Sequence, residues 1–241
     1  MRLTRIYQPR ALSTEQIVNL SKGAAGHLIR VLRLQVGDDF IIFNGKAGEF
    51  RATIIELNKN AVIVKLGEFI PVNRESSFKI ILAQAVLRSD KMDYMLQKAV
   101  ELGVAHFIPL LTAHSTLKLA PERWQKRCLH WQGVMLAACE QSGRTHLPKL
   151  ENPMTFDLAT TAIKADQRII LQACAHQKIS TLSACQSVAL FVGPEGGWSE
   201  NELKWARVAD YTPMHLGPRI LRAETAGLAA ISVLQGLYGD L

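Results

Sequence analysis

The sequence predicts a two-domain α/β protein: a small N-terminal β-barrel followed by a larger α/β domain built on a mostly parallel sheet. Three observations carry this reading. Residues 1–72 alternate short apolar runs with asparagine and glycine turns. From Lys79 the pattern changes to strand and helix in alternation. Near the C-terminus two glycine-bearing loops, Val192-Gly-Pro-Glu-Gly-Gly-Trp198 and Leu216-Gly-Pro-Arg-Ile-Leu-Arg-Ala-Glu-Thr-Ala226, each follow a short apolar run and lead into a helical pattern.

In the first domain, Gly26-His-Leu-Ile-Arg-Val-Leu-Arg33 predicts a helix, with Leu28, Val31 and Leu32 on one face and His27, Arg30 and Arg33 on another. Phe40–Phe43 and Phe50–Ile55 flank the turn residues Asn44 to Gly48, a hairpin signal, and Asn58 to Asn60 turns into a third strand over Ala61–Leu66. Several short strands at this spacing suggest a barrel. Pro71 to Ser77 is polar and turn-rich, which puts the boundary between domains 1–72 and 73–241.

In the second domain Ile80–Val86 reads as a buried strand, and Asp90 as the cap of a helix that reaches Leu102 and stops at Gly103. Phe107–Leu111 is the next strand. Pro121 suits the first turn of a long helix to Cys139. Strands follow at Arg168–Leu171, Val188–Val192 and Met214–Leu216. Ser199-Glu-Asn-Glu202 is a capping box, and Glu224–Leu237 forms a terminal helix. Alternation of this kind implies a sheet covered on both faces.

Composition narrows the class. The chain has 241 residues, a net charge of +7 and 48% hydrophobic residues. No apolar run reaches the roughly 18 residues that span a bilayer, and the first ten residues lack the apolar stretch of a signal peptide, so a cytoplasmic protein without a membrane partner is expected. Ten Lys and Arg stand against six Asp and Glu in residues 1–72, eighteen against fifteen in the rest, so the shorter domain is the more basic. That suits a polyanionic partner or a solvated surface. Cys128, Cys139, Cys174 and Cys185 have no metal-ligand spacing and read as packed thiols.

Strand, glycine turn and helix, twice within forty residues, is how an α/β domain builds a ligand pocket at its strand ends. Neither loop has the glycine order of a dinucleotide fingerprint or a P-loop. The loops therefore point to a cofactor that is neither a standard dinucleotide nor ATP, or to two ordinary turns that need glycine.

Five segments taken in order add to this: His27-Leu-Ile-Arg-Val-Leu-Arg33, Lys91-Met-Asp-Tyr-Met-Leu-Gln-Lys-Ala-Val-Glu-Leu-Gly-Val104, Ala138-Cys-Glu-Gln-Ser-Gly-Arg144, Gly193-Pro-Glu-Gly-Gly197 and Leu216-Gly-Pro-Arg-Ile-Leu-Arg-Ala-Glu-Thr225. With them the chain resembles, over nearly its whole length, the RsmE family of 16S rRNA uracil-N3 methyltransferases in the SPOUT superfamily. The resemblance implies a PUA-like RNA-binding barrel and a SPOUT methyltransferase domain tied in a deep trefoil knot. It implies S-adenosyl-L-methionine as cofactor, no metal, 16S rRNA of the small ribosomal subunit as partner, and a homodimer. A protein of the same fold that binds ribosomal RNA without catalysis is the alternative.

The implied cofactor residues are Leu171, Gly193, Pro194, Glu195, Gly196, Gly197, Leu216, Gly217, Ile220, Leu221 and Arg222. Arg222 and Glu224 are the implied catalytic pair. A guanidinium beside the uracil oxygens would stabilise the anion formed when N3 loses its proton, and Glu224 is open as base or as orienter of Arg222. Arg2, Arg5, His27, Arg30 and Arg33 are the candidate RNA contacts, able to position phosphates without reading sequence. Lys98 and Glu101 can pair at their three-residue spacing, and Lys91 with them is open between stability and RNA contact. Gln141 and Arg144 are open between substrate contact and a plain helix end. The chain departs from the family's pattern at Thr112-Ala113-His114, where a Glu and an Arg are expected, and at Gln172-Ala-Cys-Ala-His176. Any role carried by those positions is in doubt, and His114 replaces an arginine charge only when protonated.

Overall fold

The structure, a computed structural model, describes residues 3–46, 48–58, 61–115 and 120–241, and of Ser89 and Pro121 only the backbone. The chain forms two compact units, one of Met1–Glu75 with Cys139–Leu147, the other of Ser76–Ala138 with Pro148–Leu241. A single cut after residue 72 does not describe the first unit, because it takes in the end of a helix that begins in the second.

The first unit is a five-stranded sheet. Its strands are β1 (Arg5–Tyr7), β2 (Ile17–Asn19), β3 (Asp39–Phe43), β4 (Glu49–Asn58) and β5 (Ala61–Ile70), in the order β1-β3-β4-β5-β2. The predicted hairpin is β3 against β4, antiparallel, with Gly45 and Gly48 at positive φ in its turn. Period-two alternation buries Phe40, Ile42, Ala52, Ile54, Val62, Val64 and Leu66 in one core. Among the described residues no ladder joins the edge strands β1 and β2. Beyond their ends the Gln8 amide does so instead, donating to Ser21 Oγ at 3.4 Å and accepting from the Ser21 backbone N–H at 3.1 Å.

The predicted helix at Gly26–Arg33 differs in kind. A short α1 (Lys22–Gly26), capped by Ser21, widens at His27–Leu32 into a π turn that Arg33 closes in the left-handed conformation. Wider winding turns the chain less per residue, so a side chain three positions on falls short of the first one's face. Leu28 is buried, yet Val31 is 65% exposed rather than beside it.

The second unit contains β6 (Lys79–Ala85), α2 (Ser89–Glu101), β7 (His106–Leu111), α3 (Pro121–Ser142, whose last turn belongs to the first unit), β8 (Lys149–Leu150), β9 (Met154–Thr155), α4 (Phe156–Ala162), β10 (Gln167–Leu171), β11 (Gln177–Lys178), β12 (Ser187–Val192), α5 (Glu200–Val208), β13 (Thr212–His215) and α6 (Ala223–Tyr238). The strands run β11-β13-β10-β12-β6-β7-β8, with β9 beside β7, and every described pair is parallel. Asp90 is not the cap of α2. It sits in the first turn, where its charge still favours the helix N-terminus, and Arg88 takes the cap position. Gly103, at φ +84°, ends the helix as expected.

Alternate strand residues face opposite layers. Ala189 and Phe191 pack with Phe156 and Ala159 of α4 and Ala206 of α5. On the other face, Gln84 of β6 and Met95 of α2 meet Gly227 of α6 closely: an added Cβ would lie 2.5 Å from Met95 Cε and 3.0 Å from Gln84 Oε1. The last strand, β13, lies between β10 and the edge strand β11.

Candidate functional site

Parallel strands of one sheet end together, so their following loops converge. Here β13, β10 and β12 are neighbours, and the segments after them, with the start of α6, enclose a cavity of about 530 Å³. The first loop turns sharply: Gly197 N–H donates to Pro194 O at 3.0 Å, with Gly197 at φ +71°. Its capping box is formed, Ser199 and Glu202 each satisfying the other's backbone. Trp198 donates its indole N–H to Leu171 O at 2.9 Å and so ties the first loop to the end of β10. In the second loop Gly217 N–H donates to His215 Nδ1 at 3.0 Å, and Gly217 lies at φ +132°.

Of the expected cofactor residues, Leu171, Gly193, Pro194, Glu195, Gly197, Leu216, Gly217, Ile220, Leu221 and Arg222 line this cavity. Gly196 does not. Its Cα faces the other way, where an added Cβ would meet His114 Cβ at 3.1 Å. Sequence reading missed Gln172 and Ala173, which line the cavity although that segment departs from the family's pattern, and also Met214 and His215. Their signal was position, at the ends of β10 and β13.

The cavity suits an amphipathic cofactor with a flat apolar part. Its volume is in the usual range for such sites, and Val192, Met214, Leu216, Ile220, Leu221 and Ala226 supply apolar wall. Ile220 is 89% exposed, apolar surface that a ligand would cover. Nothing stands within 4 Å of where a Cβ would project from Gly197 or Gly217, so each leaves open space that a side chain would fill.

Charged groups sort into two kinds. Arg219 and Arg222 line the cavity, and their guanidinium groups have no ion pair or hydrogen bond among the described residues. Glu224, one residue into α6, is not among the lining residues; it pairs through Oε1 with Lys91 at 3.3 Å, while its Oε2 is buried with no hydrogen-bond partner among the described residues. Lys91 also lies 3.4 Å from Glu195, and Lys98 pairs with Glu101 at 2.9 Å as its spacing allowed.

The RNA-contact candidates divide as well. Arg2 lies outside the described residues. Arg5 is withdrawn from the set, because it is only 6% exposed. Its guanidinium donates to Glu49 at 3.0 Å, to Cys139 O at 2.8 Å and to Arg144 O at 3.0 Å, and it stacks 4.3 Å from the Phe43 ring centre. It fastens the Cys139–Leu147 segment to its own unit. Arg144 is likewise buried, paired with Glu75, and is no substrate contact; Gln141 is exposed. His27, Arg30 and Arg33 are exposed on the π turn and its cap. Beside His27, Glu140 accepts the Tyr7 N–H at 2.9 Å, and burial raises its pKa against the pull of that bond and of His27. The expectation of four packed thiols holds for Cys128 and Cys139 only, Cys185 being half-buried and Cys174 exposed. Burial pushes the Cys139 thiol up to about 12.

Among the described residues no helix is long and apolar enough to cross a membrane, and no group of three His, Cys, Asp or Glu is arranged to hold a metal ion.

Comparison with known proteins agrees with this geometry. The pattern of the RNA methyltransferase domain matches residues 74–235, and that of the RNA methyltransferase PUA domain matches residues 20–67. The chain is 32% identical to ribosomal RNA small subunit methyltransferase E of Buchnera aphidicola (subsp. Schizaphis graminum) over 100% of this chain and 98% of the relative. It is 30% identical to the protein of that name from Bacillus subtilis, over 86% and 85%. Among solved structures, a Legionella pneumophila protein in complex with SAM is 38% identical with a TM-score of 0.97, and ribosomal RNA small subunit methyltransferase E of Neisseria gonorrhoeae bound to S-adenosyl methionine is 33% identical with a TM-score of 0.93; each covers 100% of both chains. The chain belongs to the ribosomal RNA small subunit methyltransferase E family.

Proposed function

We propose that the protein is an S-adenosylmethionine-dependent methyltransferase that acts on N3 of one uridine in 16S rRNA of the small ribosomal subunit, as a cytoplasmic homodimer. One observation carries this reading: three neighbouring strand ends converge on a cavity whose wall includes an arginine with no side-chain partner among the described residues, Arg222.

Bound S-adenosylmethionine would supply an electrophilic methyl group. The residues that would hold it are the backbone of Gly193, Pro194, Glu195, Gly197, Leu216 and Gly217, with Leu171, Ile220 and Leu221 against its apolar surface. The chain's own groups do the rest. Uracil N3 reacts once it has lost its proton, and the charge then spreads onto the two carbonyl oxygens. The Arg222 guanidinium, planar and always charged, stabilises that anion in a cavity of low polarity. Glu224 has no bond to Arg222, so the structure offers no support for the orienting role. Its Oε2 is buried and Glu224 is not among the residues that line the cavity, so the base that takes the N3 proton is left open. Lys91 holds the opposite oxygen of that carboxylate. N3 lies on the pairing edge, so the target uridine is unpaired or drawn out of its stack. His27, Arg30 and Arg33 would steer the RNA through its phosphates.

The deciding experiment incubates the protein with labelled cofactor and small subunits that lack the modification, then maps the labelled nucleoside. Label at uridine N3 is expected. Label at a ribose overturns the site assignment, label on free RNA alone overturns the subunit substrate, and cofactor binding without label leaves the RNA-binding alternative.

A further inference from the structure

Resting on the reading of the cavity as a cofactor site, we propose that His114 is a positioning residue: a hydrogen-bond donor that holds the first glycine loop in its cofactor-binding shape from the side away from the cavity.

His114 Nδ1 lies 3.1 Å from Gly196 O and 3.1 Å from Gly197 O. Both are carbonyl oxygens and only accept, so Nδ1 carries the proton and shares it between them. These two carbonyls belong to the turn that presents Glu195, Gly197 and Trp198 to the cavity. The ring approaches so closely that an added Cβ on Gly196 would lie 3.1 Å from His114 Cβ and 3.5 Å from Cγ. This explains why Gly196 alone of the loop's glycines is absent from the cavity wall: its missing side chain admits His114, not the ligand.

His114 is itself held. In its own turn, the Thr112 N–H donates to Ser115 Oγ at 3.2 Å, and the Thr112 and Ser115 hydroxyls bond at 2.7 Å. The neighbouring Ala113 N–H donates to Glu202 Oε1 at 2.8 Å, and Glu202 is the buried member of the capping box that starts α5. The loop after β7 and the glycine loop are thus joined at two points, one through Glu202 and one through His114. Only the second bears on carbonyls of the glycine turn. A turn with Gly197 at φ +71° has alternative shapes close by, and a bond shared by two successive carbonyls selects one of them.

The test compares three substitutions. In asparagine the amide nitrogen stands at the same bond count from Cα as Nδ1; in glutamine it stands one bond further out, in the place of Nε2; alanine has no donor. Calorimetry with S-adenosylhomocysteine is expected to show His114→Ala and His114→Gln binding about fivefold more weakly than wild type, the usual worth of a lost hydrogen bond. His114→Asn is expected within about twofold of wild type, by the same arithmetic. In methylation assays KM for the cofactor rises in the first two while kcat at saturating cofactor is kept. Thermal midpoints of all three should agree, which separates positioning from folding. Wild-type affinity in all three, or equal weakening by asparagine and alanine, overturns the proposal. Failure of the wild type itself to bind S-adenosylhomocysteine overturns the cofactor reading instead.

Discussion

The Lys91 ammonium lies 3.3 Å from the Glu224 carboxylate at the start of α6, and the same ammonium reaches Glu195 in the first glycine loop at 3.4 Å. One cation therefore links the two loops that make the cavity. Both pairs are only partly buried, so each is worth little for stability by itself. Lys91→Met should lower the single-turnover methylation rate about tenfold, as loss of bonds to charged groups allows, with Lys91→Arg restoring most of it. A lower thermal midpoint with an unchanged rate would show a purely structural lysine.

The Arg222 side chain has no partner among the described residues, so its removal should leave the fold intact. Arg222→Ala is expected to cut turnover by about a hundredfold or more, the range for loss of one group that stabilises developing charge. Affinity for S-adenosylhomocysteine should change little. Wild-type turnover in this variant refutes the assignment.

Gly217 sits at φ +132° with open cavity where a Cβ would project. Gly217→Val adds backbone strain and fills that space, so binding of S-adenosylhomocysteine should weaken by at least about tenfold. Gly133, exposed on α3 with nothing near its Cα, is the control: Gly133→Ala should bind as wild type.

Arg5 is an anchor rather than an RNA contact. Arg5→Met leaves the Glu49 carboxylate buried beside Arg74 alone, which is 3.4 Å away. Loss of about 3 to 5 kcal/mol of stability is expected in denaturant unfolding, the cost of breaking a buried pair. A change below 1 kcal/mol, that is, in the range of an exposed pair, would return Arg5 to the surface set.

His106 Nε2 lies 3.0 Å from Glu151, yet burial outweighs that carboxylate and holds the imidazole below its ordinary value of 6.5. It is neutral at pH 7 and donates to Glu151. The unfolded histidine takes up its proton near 6.5 and the folded one only at lower pH, so between those values the unfolded state binds more protons. Stability is full above about 6.5 and falls as pH drops toward the folded value. Glu151, lowered chiefly by its bond to Lys149, loses its own contribution further down, below the ordinary glutamate range. Thermal midpoints between pH 7.5 and 5 should fall less in His106→Gln than in wild type; parallel curves would contradict the assignment.

Much of this molecule was legible in its residues because the signals are local. The β3–β4 hairpin follows from Asn44-Gly45 between β-branched runs, the start of α5 from Ser199 and Glu202, and the end of α2 from Gly103. The glycine loops were legible for the same reason, since their backbone shape needs glycine wherever the chain goes next. Where local winding is not the default, periodicity misleads: nothing in Gly26–Arg33 announces a π turn, and Val31 does not share the buried face of Leu28.

What the sequence determined by itself is the set of elements and their alternation, fixed by short-range sterics and periodicity, while ten of the cavity-lining residues were implied by its resemblance to the family. The tertiary structure decided the rest, because it depends on which distant segments meet. Only there does Gly196 turn from the cavity to admit His114, Gln172 join Gly193 in the cavity wall, and Arg5 pass from a basic N-terminal residue to the buried clasp on Cys139 and Arg144. A charge reads the same in sequence whether it meets RNA or a carboxylate forty-four residues away, and burial alone tells the two apart.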